Sequence, residues 1–70
     1  MSLPAILLVD DDPLTVRMFQ HIFMKAGLKN PLYVVYDGDQ AISYLAGHDK
    51  YANRDLFPMP TLVFLDLYMP

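Results

Sequence analysis

The sequence predicts an α/β fold built on a small parallel sheet. Three short apolar runs, at Ala5–Val9, Leu32–Tyr36 and Thr61–Leu65, alternate with two stretches of helical periodicity. The first run is unbroken, as in a strand buried on both faces. A βαβαβ order with right-handed crossovers then lets both helices cover one parallel sheet.

Each element carries its own signals. Ala5-Ile6-Leu7-Leu8-Val9 stops abruptly at three aspartates, Asp10 to Asp12. Asp12-Pro13 reads as a helix N-cap followed by proline at the first helical position, where its missing N–H costs nothing. Val16, Phe19, Phe23 and Ala26 then form an apolar stripe widened by Ile22, with Arg17, Gln20, His21 and Lys25 mainly opposite. Gly27 supplies the left-handed residue that closes this helix, and Asn30-Pro31 turns the chain. The second strand, Leu32 to Tyr36, is rich in β-branched and aromatic residues. Asp37 and Gln40 have the spacing of a capping box. Ala41, Ile42 and Leu45 give the second helix an apolar face, and Gly47 ends it. Residues 48–60 form an extended loop, which Tyr51, Leu56, Phe57 and Met59 pin to the body. The third strand, Thr61 to Leu65, ends at Asp66. Methionines and phenylalanines are assigned to the core, except Met24, which covers surface.

Composition narrows the function. Seventy residues make one small domain, here 1–70, which buries only about 60% of the surface its unfolded chain exposes. Residues 1–4 resemble an expression leader. Without cysteine there is neither disulfide nor thiolate metal site. His21 and His48 are too far apart for a histidine zinc site and read as surface residues. The acidic residues are eight aspartates against five Lys and Arg, a net charge of -3 with no basic cluster. That balance argues against nucleic acid as a partner. No apolar run has the length of a membrane span and no signal peptide leads the chain, so a cytoplasmic location is expected.

The chemistry sits at strand ends. Ligands of open parallel sheets bind outside the carboxyl ends of the strands. Asp10 and Asp11 leave the first strand and Asp66 leaves the third, 55 or 56 residues further on. If those strands are neighbours, three carboxylates meet and repel unless a cation sits among them. Magnesium fits, because it takes octahedral oxygen ligation and is held by one or two carboxylates plus a phosphate. Asp66 is the expected nucleophile, forming an aspartyl phosphate. Asp11 is the expected direct metal ligand, with Asp10 acting mainly through metal-bound water. The backbone carbonyl of Tyr68 is a further candidate ligand, and Pro70 stiffens that turn.

Val9-Asp10-Asp11-Asp12-Pro13 after one hydrophobic strand, and Leu65-Asp66-Leu67-Tyr68-Met69-Pro70 after another, resemble the two signatures of bacterial response-regulator receiver domains. Val35-Tyr36-Asp37-Gly38 with Ala41 resembles that family's second strand and helix. The resemblance implies the first half of a flavodoxin-like domain, with strand order 2-1-3, ending before strands 4 and 5. It implies a phosphorelay receiver in which Asp10, Asp11 and the Tyr68 carbonyl bind Mg2+ beside Asp66. Asp66 then takes phosphate from a sensor histidine kinase or a histidine phosphotransfer protein. Such a domain is a signalling phosphoacceptor rather than a dedicated enzyme, catalysing its own phosphorylation and dephosphorylation only when complete. The Asp-Pro helix start and the 51–60 loop resemble a stand-alone subclass associated with phytochrome-type kinases. The family's switch Ser/Thr and its lysine, after the fourth and fifth strands, have no counterpart in these 70 residues.

Two other readings follow from the same residues. Asp10-Asp11-Asp12 superficially fits an aspartate-based haloacid-dehalogenase-like phosphohydrolase, but Leu14 stands where that motif has threonine or valine. A non-signalling, structural or oligomerising half-receiver is the other. The third strand contains no Lys or Pro, so its edge is expected to pair with another chain and promote self-association.

Overall fold

The structure, a computed structural model, describes residues 3–65. Its elements are β1 (Ile6–Val9), α1 (Pro13–Lys25), β2 (Leu32–Val35), α2 (Gly38–Ala46), a 3-10 turn (Asp49–Ala52) and β3 (Leu62–Leu65). The strands form one parallel sheet in the order β2-β1-β3. This is the α/β topology and strand order expected. The expected 48–60 loop carries the 3-10 turn near its start.

β1 is buried along its whole length. Side chains alternate across a strand, so Leu7 and Val9 face one side and Ile6 and Leu8 the other. Leu7 and Val9 pack with Val35, Ala41 and Tyr44 into the core beneath α2. Phe64, in register with Leu8, meets Phe19 of α1 with ring centroids 5.0 Å apart. The two helices therefore cover opposite faces.

The helix ends follow local chemistry. Asp12 caps α1 by accepting the Leu14 N–H at 3.0 Å. Gly27 and Gly47 both adopt positive φ, and the residue after each returns its N–H to the last turn, Leu28 to Phe23 and His48 to Ser43. Asp37 caps α2 by accepting the Gln40 N–H at 2.7 Å. The Gln40 side chain accepts from Tyr36 N–H at 2.8 Å rather than from the cap residue's own N–H. The expected capping box is thus one residue wider, and it ties α2 to the end of β2.

Several apolar assignments differ from expectation. On α1, Val16 is buried and Phe19 and Phe23 are half-buried, but Ile22 and Ala26 are exposed. The buried face of α2 is Ala41 with Tyr44, one turn apart, while Ile42 and Leu45, both expected on that face, are exposed. Met18 and Met59 are exposed, not core. Leu56 and Met59 do not pin the loop either; Tyr51 and Phe57 do, packed against the core with Tyr33.

The loop's principal tie is Arg54. Its guanidinium donates to the carbonyls of Tyr44 at 2.9 Å, Leu45 at 3.0 Å and Phe57 at 3.2 Å. Two of those carbonyls belong to the last turn of α2, where helix geometry leaves acceptors unpaired and favours a cation. Gly47 makes room, since a Cβ there would stand 3.0 Å from the guanidinium.

Tyr44 completes the clasp. Its hydroxyl donates to the Pro58 carbonyl at 2.8 Å, and its ring lies edge-on to Phe57. Burial first, and then neighbouring Tyr33, push its phenol above the ordinary value near 10, against an opposing pull from Arg54. With the folded value raised, the phenol's contribution to stability is complete below about pH 10 and is lost as pH rises through the folded value. Tyr44→Phe is expected to cost about 1 kcal/mol in urea unfolding at neutral pH, because the Pro58 carbonyl loses its donor. It should also remove this residue's share of the alkaline loss. Unchanged stability at neutral pH would show that the hydrogen bond contributes nothing net.

Candidate metal and phosphate site

The site lies where β1 leaves the core. Asp10 N–H donates to the Val35 carbonyl at 3.1 Å, extending the β1–β2 ladder one residue beyond Val9. That bond holds the Asp10 backbone in the sheet and leaves its carboxylate at the carboxyl edge. Asp10 is only 3% exposed. One of its oxygens, Oδ1, accepts the Asp12 N–H at 2.9 Å. A buried carboxylate with so few partners is costly unless it is paired or bound to a cation.

Asp11 is exposed and lies in the bend between strand and helix. Asp12 is engaged locally: Oδ1 takes the Leu14 N–H and Oδ2 takes the Thr15 hydroxyl, both at 3.0 Å. The three consecutive aspartates therefore differ in environment. Asp10 is buried with one side-chain hydrogen bond among the described residues, Asp11 is exposed to solvent, and Asp12 is committed to the helix start.

The other half of the expected site begins at the end of β3. Leu65 is in register with Val9, so β3 ends beside the residue that precedes Asp10. Asp66 and Tyr68, the expected phosphoacceptor and carbonyl ligand, lie outside the described residues, as does Pro70. Among the described residues no group of three His, Cys, Asp or Glu is placed to hold a metal. Asp10 and Asp11 are the two expected ligands that the described structure contains. Their all-oxygen donors suit a hard divalent cation, and no cationic side chain bonds to Asp10 among the described hydrogen bonds.

Neither histidine approaches this edge: His21 is exposed on α1 and His48 precedes the 3-10 turn. Sequence reasoning missed Thr15 and Arg54. The Asp12-x-x-Thr15 spacing could have indicated Thr15, whereas nothing local marks Arg54, two of whose three carbonyl partners come from α2.

No protein-family model matches the chain. It is 32% identical over 66 residues to response regulator Rcp1 of Synechocystis, covering 94% of this chain and 43% of that protein. It superposes on the crystal structure of a response regulator in red light signaling of R. palustris with a TM-score of 0.92 and 34% identity. That match covers 97% of this chain and 48% of the solved one. These residues have the sequence and fold similarity of a receiver-domain segment of the response-regulator type. The chain spans less than half the length of the proteins it matches. Its order β2-β1-β3 is the receiver order, and its flavodoxin-like character follows from the structural match.

The environment of Asp10 makes a specific prediction about stability. Asp10→Asn keeps an oxygen for the Asp12 N–H, is nearly isosteric and removes the buried charge, so metal-free stability should hold or rise. Asp10→Ala removes the acceptor and leaves a void, and should cost about 1–3 kcal/mol. Thermal and urea unfolding in EDTA measure both. Equal losses in the two variants would mean that the Asp12–Asp10 hydrogen bond does not organise this edge.

Proposed function

We propose that this segment supplies the acidic half of the phosphorylation site of a two-component phosphorelay receiver. The observation that carries the reading is the buried Asp10 carboxylate at the carboxyl end of the central strand, in a chain with receiver sequence and fold. In this reading Asp10, Asp11, Asp66 and the Tyr68 carbonyl hold Mg2+. When bound, the ion supplies positive charge that offsets the charge on the phosphoryl oxygens.

Asp66 does the covalent chemistry. A carboxylate oxygen attacks phosphorus in line, and the P–N bond of a phosphohistidine donor breaks. The electron pair goes to the imidazole nitrogen, and an aspartyl phosphate forms. The donor is a sensor histidine kinase or a histidine phosphotransfer protein, and the setting is cytoplasmic. No helix among the described residues is long and apolar enough to cross a membrane. The receiver similarity favours this reading over a phosphohydrolase of the haloacid-dehalogenase kind.

Acetyl phosphate with magnesium should add one phosphoryl group to the full-length protein, and Asp66→Asn should abolish the addition. Intact mass after rapid quench reads this directly. Equal labelling of both proteins would place the acceptor elsewhere.

A structural or oligomerising role for the isolated 70-residue segment has its own support. All four residues of β3 are exposed, from 37% at Val63 and Phe64 to 63% at Leu65. An apolar edge without Lys or Pro is a template for strand pairing. The isolated segment should therefore associate through β3, and light scattering should give a mass above 8.0 kDa. A lysine at Val63 should reduce that association. A well-folded monomer would exclude it.

A further inference from the structure

We propose that Asp12 is a positioning residue for metal binding: it stays off the metal and holds the Asp10 carboxylate in place through the first turn of α1. The inference rests on the magnesium reading above and concerns how three adjacent aspartates divide the work.

Both oxygens of Asp12 are occupied. Oδ1 accepts from Leu14 N–H and Oδ2 from the Thr15 hydroxyl, while its own carbonyl accepts the Val16 N–H at 3.1 Å. Pro13 fixes the backbone immediately after it. Turning Asp12 toward a cation would break two hydrogen bonds and uncap the helix. Held this way, the Asp12 N–H points at Asp10 Oδ1, 2.9 Å away. A second backbone bond, Asp10 N–H to Val35 carbonyl, fixes the same residue from the sheet side.

Asp10 is therefore gripped from two directions, and one carboxylate oxygen is already used by the protein. The other oxygen has no hydrogen-bond partner among the described residues and would be the one to meet the metal or its water. Orientation of a ligating carboxylate by an outer partner commonly controls metal affinity by about 10–100-fold. Thr15 belongs to the same device, since its hydroxyl fixes the second Asp12 oxygen. Neither Asp12 nor Thr15 needs to touch the ion.

The test separates charge from cap. Asp12→Asn loses the charge but keeps an oxygen for the Leu14 N–H. Asp12→Ala loses both, and Asp12→Ser restores a short cap without charge. Magnesium affinity is read by isothermal titration of the unphosphorylated full-length protein with MgCl2 at about 0.15 M ionic strength, where remote charge is partly screened. Asp12→Asn and Asp12→Ser should bind within about threefold of the unsubstituted protein, and Asp12→Ala about tenfold more weakly. Circular dichroism in EDTA verifies that each variant is folded. If Asp12→Ala does not fold, Asp12→Asn still decides: a loss of about tenfold or more would make the charge itself a contributor and overturn the proposal. Equal affinity of all variants would overturn it too. Should the unsubstituted protein bind no magnesium, the metal reading fails along with the inference. Binding by the unsubstituted protein that ignores Asp12 would sink the inference alone.

Discussion

The parallel pairing of β1 with a neighbour on each side is the constraint on which the remaining structure depends. A strand hydrogen-bonded along both edges and covered on both faces has no place for a polar side chain. Ala5 to Val9 meet that demand, and every one of them is buried. The run can end only where the chain leaves the core, so the first carboxylate marks the sheet's carboxyl edge. Asp10 stands at that boundary. Its backbone still belongs to the ladder, through Val35, while its side chain already serves the loop. Fold and site share one residue.

Much of this was legible because the signals are local. The unbroken apolar run, Asp12-Pro13, the Asp37 cap and Gly47 act within a few residues of themselves, and each is found where sequence chemistry places it. The misassignments have a common origin. Ile42 and Tyr44 are both apolar enough to be core, and only the rotation of α2 against β1 and β2 decides between them. Tyr44 wins because its ring reaches the aromatic cluster while its hydroxyl reaches the Pro58 carbonyl. Met18 and Met59 were assigned inward on composition alone, and hydrophobicity without a tertiary partner does not fix burial. The adjacency of β1 and β3 was legible from the sequence order, and the expected meeting of Asp10 and Asp11 with Asp66 rests on it, with Asp66 outside the described residues.

Arg54 illustrates what sequence periodicity cannot reach. Between the 3-10 turn and β3 the chain must return from the α2 face to the sheet. Such a segment lacks regular backbone pairing, so its polar groups need other partners. Arg54 answers with one side chain that satisfies carbonyls on both the helix and the loop. Asn53 supplies a turn, its side-chain oxygen accepting from the N–H groups of Asp55 and Leu56. Thr61 N–H then bonds the Ala5 carbonyl at 2.9 Å, bringing β3 into register at the start of β1. The loop is thus part of how the third strand, and whatever follows it, is delivered to the site's edge.

Charge distribution decides what that edge can accept. Five of the eight aspartates, Asp10, Asp11, Asp12, Asp37 and Asp39, lie where β1 and β2 run out into α1 and α2. Lys25 ends α1 and Lys29 follows it, at the opposite edge of the sheet, and Arg54 is occupied by carbonyls. An anion approaching the carboxyl edge therefore meets a mainly acidic surface. Helix dipoles soften this only in part, because the starts of α1 and α2 are already capped by Asp12 and Asp37. Arg17 on α1 and Lys50, which lines a pocket with Asp37 and Asp39, are the cationic side chains left to offset five carboxylates. An acidic edge of this kind concentrates divalent cations, so under the proposed reading metal binding comes before phosphoryl transfer. Under that reading the fixed Asp10 carboxylate draws the cation to the strand end rather than to the acidic surface at large.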